Sequence, residues 1–96
     1  TRLENEAIKL FNSHRDIGFT SSNKSAQVAK LLEEVGEFIE AVMKEDMKKE
    51  DMHNAVMEAG DVAWLLVDIL NVIGSESLLS TGMAISLEKL QLRHNP

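Results

Sequence analysis

Apolar positions recur along the 96-residue chain with the period of a helix, and strand-like alternation never lasts beyond a few residues. Leu3, Ala7, Ile8, Leu10 and Phe11 form one stripe and predict a first helix from about Leu3 to Arg15. A loop rich in turn formers follows, from Ile17 to Asn23, and Ser22 or Asn23 offers the cap of a second helix. That helix reads from Ser25 to about Glu45, with Val28, Leu31, Leu32, Val35, Ile39 and Val42 on one face. The charged stretch from Glu45 to Asp51 reads as a solvated turn. Asp51 or Asn54 then caps a third helix that runs to about Ile73. Gly74-Ser75 ends it, and a fourth helix from about Ser77 to Arg93 closes the chain, with Gly82 allowing a break near Ser80-Thr81-Gly82. The expectation is an all-α, four-helix-bundle-type single domain over residues 1–96.

The third segment differs from the others. Val56, Ala59, Ala63, Leu66, Val67 and Leu70 form one face, and Leu65 and Val72 cover much of the opposite side. A helix apolar around so much of its circumference belongs at the centre of a fold. Yet it carries Glu58, Asp61 and Asp68 within an arc of ~80°, counting 3.6 residues per turn. An unpaired buried carboxylate is costly, so these acids need partners. Asp68 reads better as a cap or an interface salt bridge than as a group holding an outer-shell water.

Composition narrows the function classes. Sixteen acidic against ten basic residues give a formal charge of −6, which argues against coating nucleic acid polymers or anionic membranes. The longest apolar run, Val62 to Val67, is far short of the ~20 residues of a membrane span. Zero cysteine removes disulfides, thiolate zinc sites and cysteine nucleophiles, and fits a reducing, cytoplasmic setting. No secretory leader is read, and a start at Thr1 rather than Met leads us to expect that residues before it are missing. A chain this short builds a marginal core, so association with copies of itself is expected. The charge is also concentrated. Between Glu33 and Asp68 eleven acids face three lysines, a local charge of −8.

Within that block, Glu34 and Glu37 stand one helical turn apart, and Glu58 and Asp61 repeat the same i, i+3 spacing on the apolar third helix. Taken singly, such a pair is ordinarily a solvated face. If the two helices run antiparallel, the pairs oppose each other and four carboxylates converge, which calls for a cation. Hard oxygen donors select Mg²⁺, with Mn²⁺ as a substitute, over zinc. Gly36 and Gly60 each lie inside a pair, and helix-interior glycine, costly by ~1 kcal/mol, points to close approach of a helix or ligand. The three histidines have no ligand spacing, and the lack of a Glu-x-x-His pair argues against a di-iron bundle.

Glu33-Glu34-x-x-Glu37, then twenty residues, then Glu58-x-x-Asp61, resembles the EExxE…ExxD signature of the all-α nucleoside triphosphate pyrophosphohydrolases, the MazG-like group. The resemblance spans about Ser25 to Arg93. It implies a Mg²⁺-dependent hydrolase that converts a (deoxy)nucleoside triphosphate to the monophosphate and pyrophosphate, in a house-cleaning role, as a homo-oligomeric dimer or tetramer. It also implies metal ligation by Glu34, Glu37, Glu58 and Asp61, and a water-activating or water-orienting role for Glu33. Lys89 and Arg93 match a basic pair that contacts phosphates in the family; read alone, they are charges complementing a helix C-terminus. The chain departs from many relatives in lacking Asn beside Lys89 and in carrying Ile17, not Trp, after Arg15-Asp16.

Trp64 is either core, subunit contact or a platform for a base, and the loop near Phe19 is placed to cover one. Met43, Met47, Met52 and Met57 cluster around the second turn and fit a dimer contact. Two other functions remain open on sequence: an acidic helical interaction module without catalysis, and the related phosphoribosyl-ATP pyrophosphohydrolase chemistry.

Overall fold

The computed structural model describes residues 1–16, 20–76 and 78–94, so the readings placed on Ile17, Phe19 and Ser77 lie outside the described residues. Four helices follow in order: α1 (Arg2–Ser13), α2 (Lys24–Val42), α3 (Lys49–Val72) and α4 (Leu79–His94). Among the described residues there is no strand. The helix starts follow local chemistry. The Thr1 hydroxyl accepts the Glu4 backbone N–H at 3.2 Å. The Asn23 side chain accepts those of Ser25 and Ala26 at 2.9 and 3.2 Å, satisfying N–H groups that have no partner in the first turn.

Two boundaries differ from expectation. α3 begins at Lys49, before Asp51 or Asn54, because Asp51 acts from inside the first turn. Its carboxylate accepts the Lys48 backbone N–H at 2.8 Å and the Lys44 ammonium at 2.7 Å. α4 runs through Gly82 without the break that glycine allowed.

α3 is the central element. It pairs along its length with α2 and touches α1 and α4, and among the described residues no other helix pair comes into backbone contact. α1 lies against it through Phe11, whose ring meets Trp64 edge to face at 6.2 Å. α4 is held at its first turn, where the Glu4 carboxylate of α1 accepts the Ser80 backbone N–H at 3.3 Å. Beyond Ser80 every described residue of α4 is exposed. Among the described residues the buried apolar core is thin, comprising Phe11, Leu65 and Val67. The radius of gyration is 15.4 Å, larger than the roughly 12 Å of a compact chain of this length. Four helices are present as expected, but within one chain they make an α2–α3 hairpin with two appended helices.

The third helix does bury an acid, and the acid has partners. Asp68 is fully enclosed. The Arg15 guanidinium donates to both of its oxygens, at 2.6 and 2.8 Å, and the buried Gln27 side chain donates to Oδ2. Arg15 also donates to the Asn12 side chain and to the Ser21 carbonyl, so one cation joins the end of α1, the following loop and α3. Asp68 is thus half of a salt bridge, but the bridge closes inside the chain and not at an interface between copies.

Removing one partner of a buried pair strands the other, so Asp68→Ala should lower the free energy of unfolding in urea by about 3 kcal/mol. The Glu4 carboxyl sits below its ordinary value of 4.5, chiefly through its hydrogen bond to Ser80. A depressed carboxyl stabilises the fold above its unfolded pKa, and that contribution disappears as pH falls through the folded one. Glu4→Gln should accordingly melt below wild type at pH 7, with the difference shrinking as the pH drops below 4.5 in thermal scans.

Candidate active site

The antiparallel α2–α3 pairing decides which acids meet. Glu34, Glu37 and Glu58 each bring a carboxylate oxygen within 4.8 Å of the others. Their placement follows from helix geometry: Glu34 and Glu37 share one face of α2, and Glu58 projects from the facing side of α3. Asp61, one turn further along α3, stands outside this tightest group. It lines the adjoining cavity of about 240 Å³ with Glu34, Lys30, Trp64 and Leu65.

The electrostatics of the group are unfavourable as it stands. The Glu34 carboxyl is pushed above its ordinary value by burial first, then by the neighbouring Glu37 carboxyl, then by the charges of Asp61 and Glu58. Glu58 is raised as well, by burial and then by the charges of Glu37 and Asp61. One oxygen of Glu58, Oε2, is buried with no hydrogen-bond partner among the described residues. An acceptor held dry among like charges is unsatisfied by the protein, and a hard cation fits it: all the donors are carboxylate oxygens.

The other candidate residues are distributed differently. Glu33 is exposed on α2 and is not one of the three acids whose oxygens come together. Trp64 is half-buried, with Phe11 on one side and the cavity on the other. Lys89 and Arg93 are exposed on α4 and do not line the cavity. Among the described residues neither has a hydrogen-bond or ion-pair partner. Gly36 and Gly60 do not mark a close approach within the chain, since a Cβ at either would meet nothing within 4 Å. Gly60 instead opens onto a groove bounded by Leu3, Ala63, Val67, Leu79 and Met83.

Sequence reasoning missed Lys30. It is the one cation lining the cavity among the described residues, and it stands one helical turn before Glu34. That spacing was visible, but it is equally the spacing of an ordinary solvated ion pair.

A carboxyl whose pKa is raised in the fold stabilises it below the unfolded pKa and loses that contribution as pH rises toward the folded one. The metal-free cluster therefore works against the fold at neutral pH. In EDTA, Glu58→Gln should melt above wild type at pH 7.5, and the gap should narrow as the pH is lowered toward 4.5.

A family model described as the MazG nucleotide pyrophosphohydrolase domain matches residues 22–96, which takes in α2, α3, α4 and every acid of the cluster. No curated protein matches the chain, and no solved structure does.

Proposed function

The chain belongs to the MazG nucleotide pyrophosphohydrolase family, and on that premise we propose that it is a Mg²⁺-dependent hydrolase of (deoxy)nucleoside triphosphates, yielding the monophosphate and pyrophosphate. The observation that carries this reading is the orphaned, buried Glu58 oxygen inside a three-carboxylate cluster. Glu34, Glu37 and Glu58 would hold the ion, with Asp61 completing the set from the cavity side. Mn²⁺ offers the same hard-oxygen chemistry. Mg²⁺ bound there would neutralise carboxylates and triphosphate together and polarise the phosphorus under attack.

The protein groups have separable tasks. A water oxygen forms the new bond to the α-phosphorus, the α–β bridging P–O bond breaks, and pyrophosphate leaves. Glu33, adjacent to Glu34 but outside the metal-holding set, is assigned to orient that water and take its proton. Lys30 faces the cavity and supplies positive charge to the phosphates from α2. Trp64 offers a flat apolar wall for the base. Lys89 and Arg93 do not line the cavity of their own chain, so we assign them the phosphates only in the assembled protein.

Assembly with further copies, as a dimer or tetramer, is part of the same reading. The chain exposes 7175 Å², against about 5,500 Å² for a compact monomer of its mass. Leu32, Val56, Met43 and Met83 are each more than half exposed, including two members of the α2 and α3 apolar stripes. No helix among the described residues is long and apolar enough to cross a membrane. A cytoplasmic location, where nucleotide triphosphates are available, belongs to the proposal.

The test is pyrophosphate release from a panel of ribo- and deoxyribonucleoside triphosphates with and without Mg²⁺. Release should require the metal, and Glu37→Gln or Asp61→Asn should lower it by at least about 100-fold while the helical circular dichroism stays intact. Wild-type turnover in saturating EDTA would defeat the metal role. Salt-sensitive capture of a basic partner without turnover would favour the interaction-module reading.

A further inference from the structure

Gln27 donates to Asp68 across the α2–α3 interface, and both side chains are almost completely buried. The position of this bond along the hairpin has a consequence for the acids. Seven residues on from Gln27 along α2 is Glu34, and seven residues back from Asp68 along α3 is Asp61, which lines the same cavity. Three residues further in each direction come Glu37 and Glu58, which share the carboxylate cluster. The polar bond and the two acidic contacts thus belong to one antiparallel register.

Apolar contacts alone specify that register weakly. Ridges on a helix repeat every three to four residues, so two apolar stripes can interlock after sliding by one turn. The acids push against the observed alignment, because it brings like charges together. A buried polar pair behaves differently, since a slip leaves its donor and acceptor dry and unpaired. Fixing register is the best-attested use of such groups. Arg15 lets the arrangement persist by supplying the counter-charge to Asp68, leaving Gln27 to read the position of α2.

We propose that the Gln27–Asp68 hydrogen bond is a register lock that holds Glu34 and Glu37 opposite Asp61 and Glu58. Gln27 and Asp68 are therefore positioning residues for the metal-holding carboxylates. The link to metal binding rests on the function proposed above; the register claim does not.

The lack of cysteine permits a clean measurement. Nitroxide labels on Lys24→Cys and His53→Cys, exposed polar positions on α2 and α3, report the alignment of the hairpin by pulsed electron resonance on samples diluted with unlabelled chain. Binding of Mn²⁺ alone is read in parallel from the free-ion resonance. Gln27→Asn withdraws the donor by one methylene and should shift or broaden the distance distribution. It should also weaken Mn²⁺ binding about tenfold, as loss of groups that orient metal ligands does. Gln27→Asn with Asp68→Glu restores the combined length and should recover both readouts. Glu4→Gln, which loosens α4 instead, should lower stability and change neither. An unchanged distribution in Gln27→Asn overturns the lock, and an altered one with wild-type Mn²⁺ affinity overturns the positioning role. Equal loss of affinity in Glu4→Gln also overturns the positioning role. A wild-type chain that binds no Mn²⁺ defeats the metal reading instead, and the distance distribution then decides the register claim alone.

Discussion

The buried carboxylate of Asp68 is the constraint around which this chain is arranged. An ionised acid with no exposed surface must be matched by charge and hydrogen bonds, and the three groups that meet it come from separate elements. Arg15 belongs to the end of α1 and its loop, Gln27 to α2, and Asp68 to α3. Satisfying one side chain therefore brings three parts of the chain together. Among the described residues the buried apolar side chains are Phe11, Leu65 and Val67, and a core this thin does not fix that arrangement alone.

Two to three turns away the same helix pair holds acids with the opposite property. Asp68 is matched by its own protein, whereas Glu58 keeps a buried oxygen unmatched and Glu34 is pushed up by its neighbours. The contrast separates structure from function within a single acidic helix. The satisfied carboxylate holds the fold together. The unsatisfied ones store repulsion that a cation would relieve, and their proximity is tolerated because the rest of the hairpin holds them there.

The chain's periodicity made the helices legible, because an amphipathic stripe needs only local spacing to be seen. Asn23 was identifiable as a cap for the same reason. The start of α3 was misjudged because Asp51 reaches back from the first turn to the N–H of Lys48, and in sequence such an acid looks the same as one at the cap itself. The candidate acids were legible through their i, i+3 spacing and their resemblance to a known signature. Lys30 was not, since a lysine one turn from a glutamate is commonplace on solvated helices. Gln27 was invisible as well: its partner lies 41 residues away.

Sequence by itself determined that the chain is helical, that its acids concentrate on two segments, and that its signature is that of a nucleotide pyrophosphohydrolase domain. These properties depend on spacing within ten or so residues or on a pattern read in order. Tertiary structure decided that Glu34, Glu37 and Glu58 converge while Glu33 does not, and that Asp68 is closed off by Arg15 and Gln27. It also decided that α4 leaves the hairpin after its first turn. The reason is that a helical stripe repeats every turn and so fits a neighbour in several alignments. Which alignment forms is settled by polar groups that must find partners far along the chain.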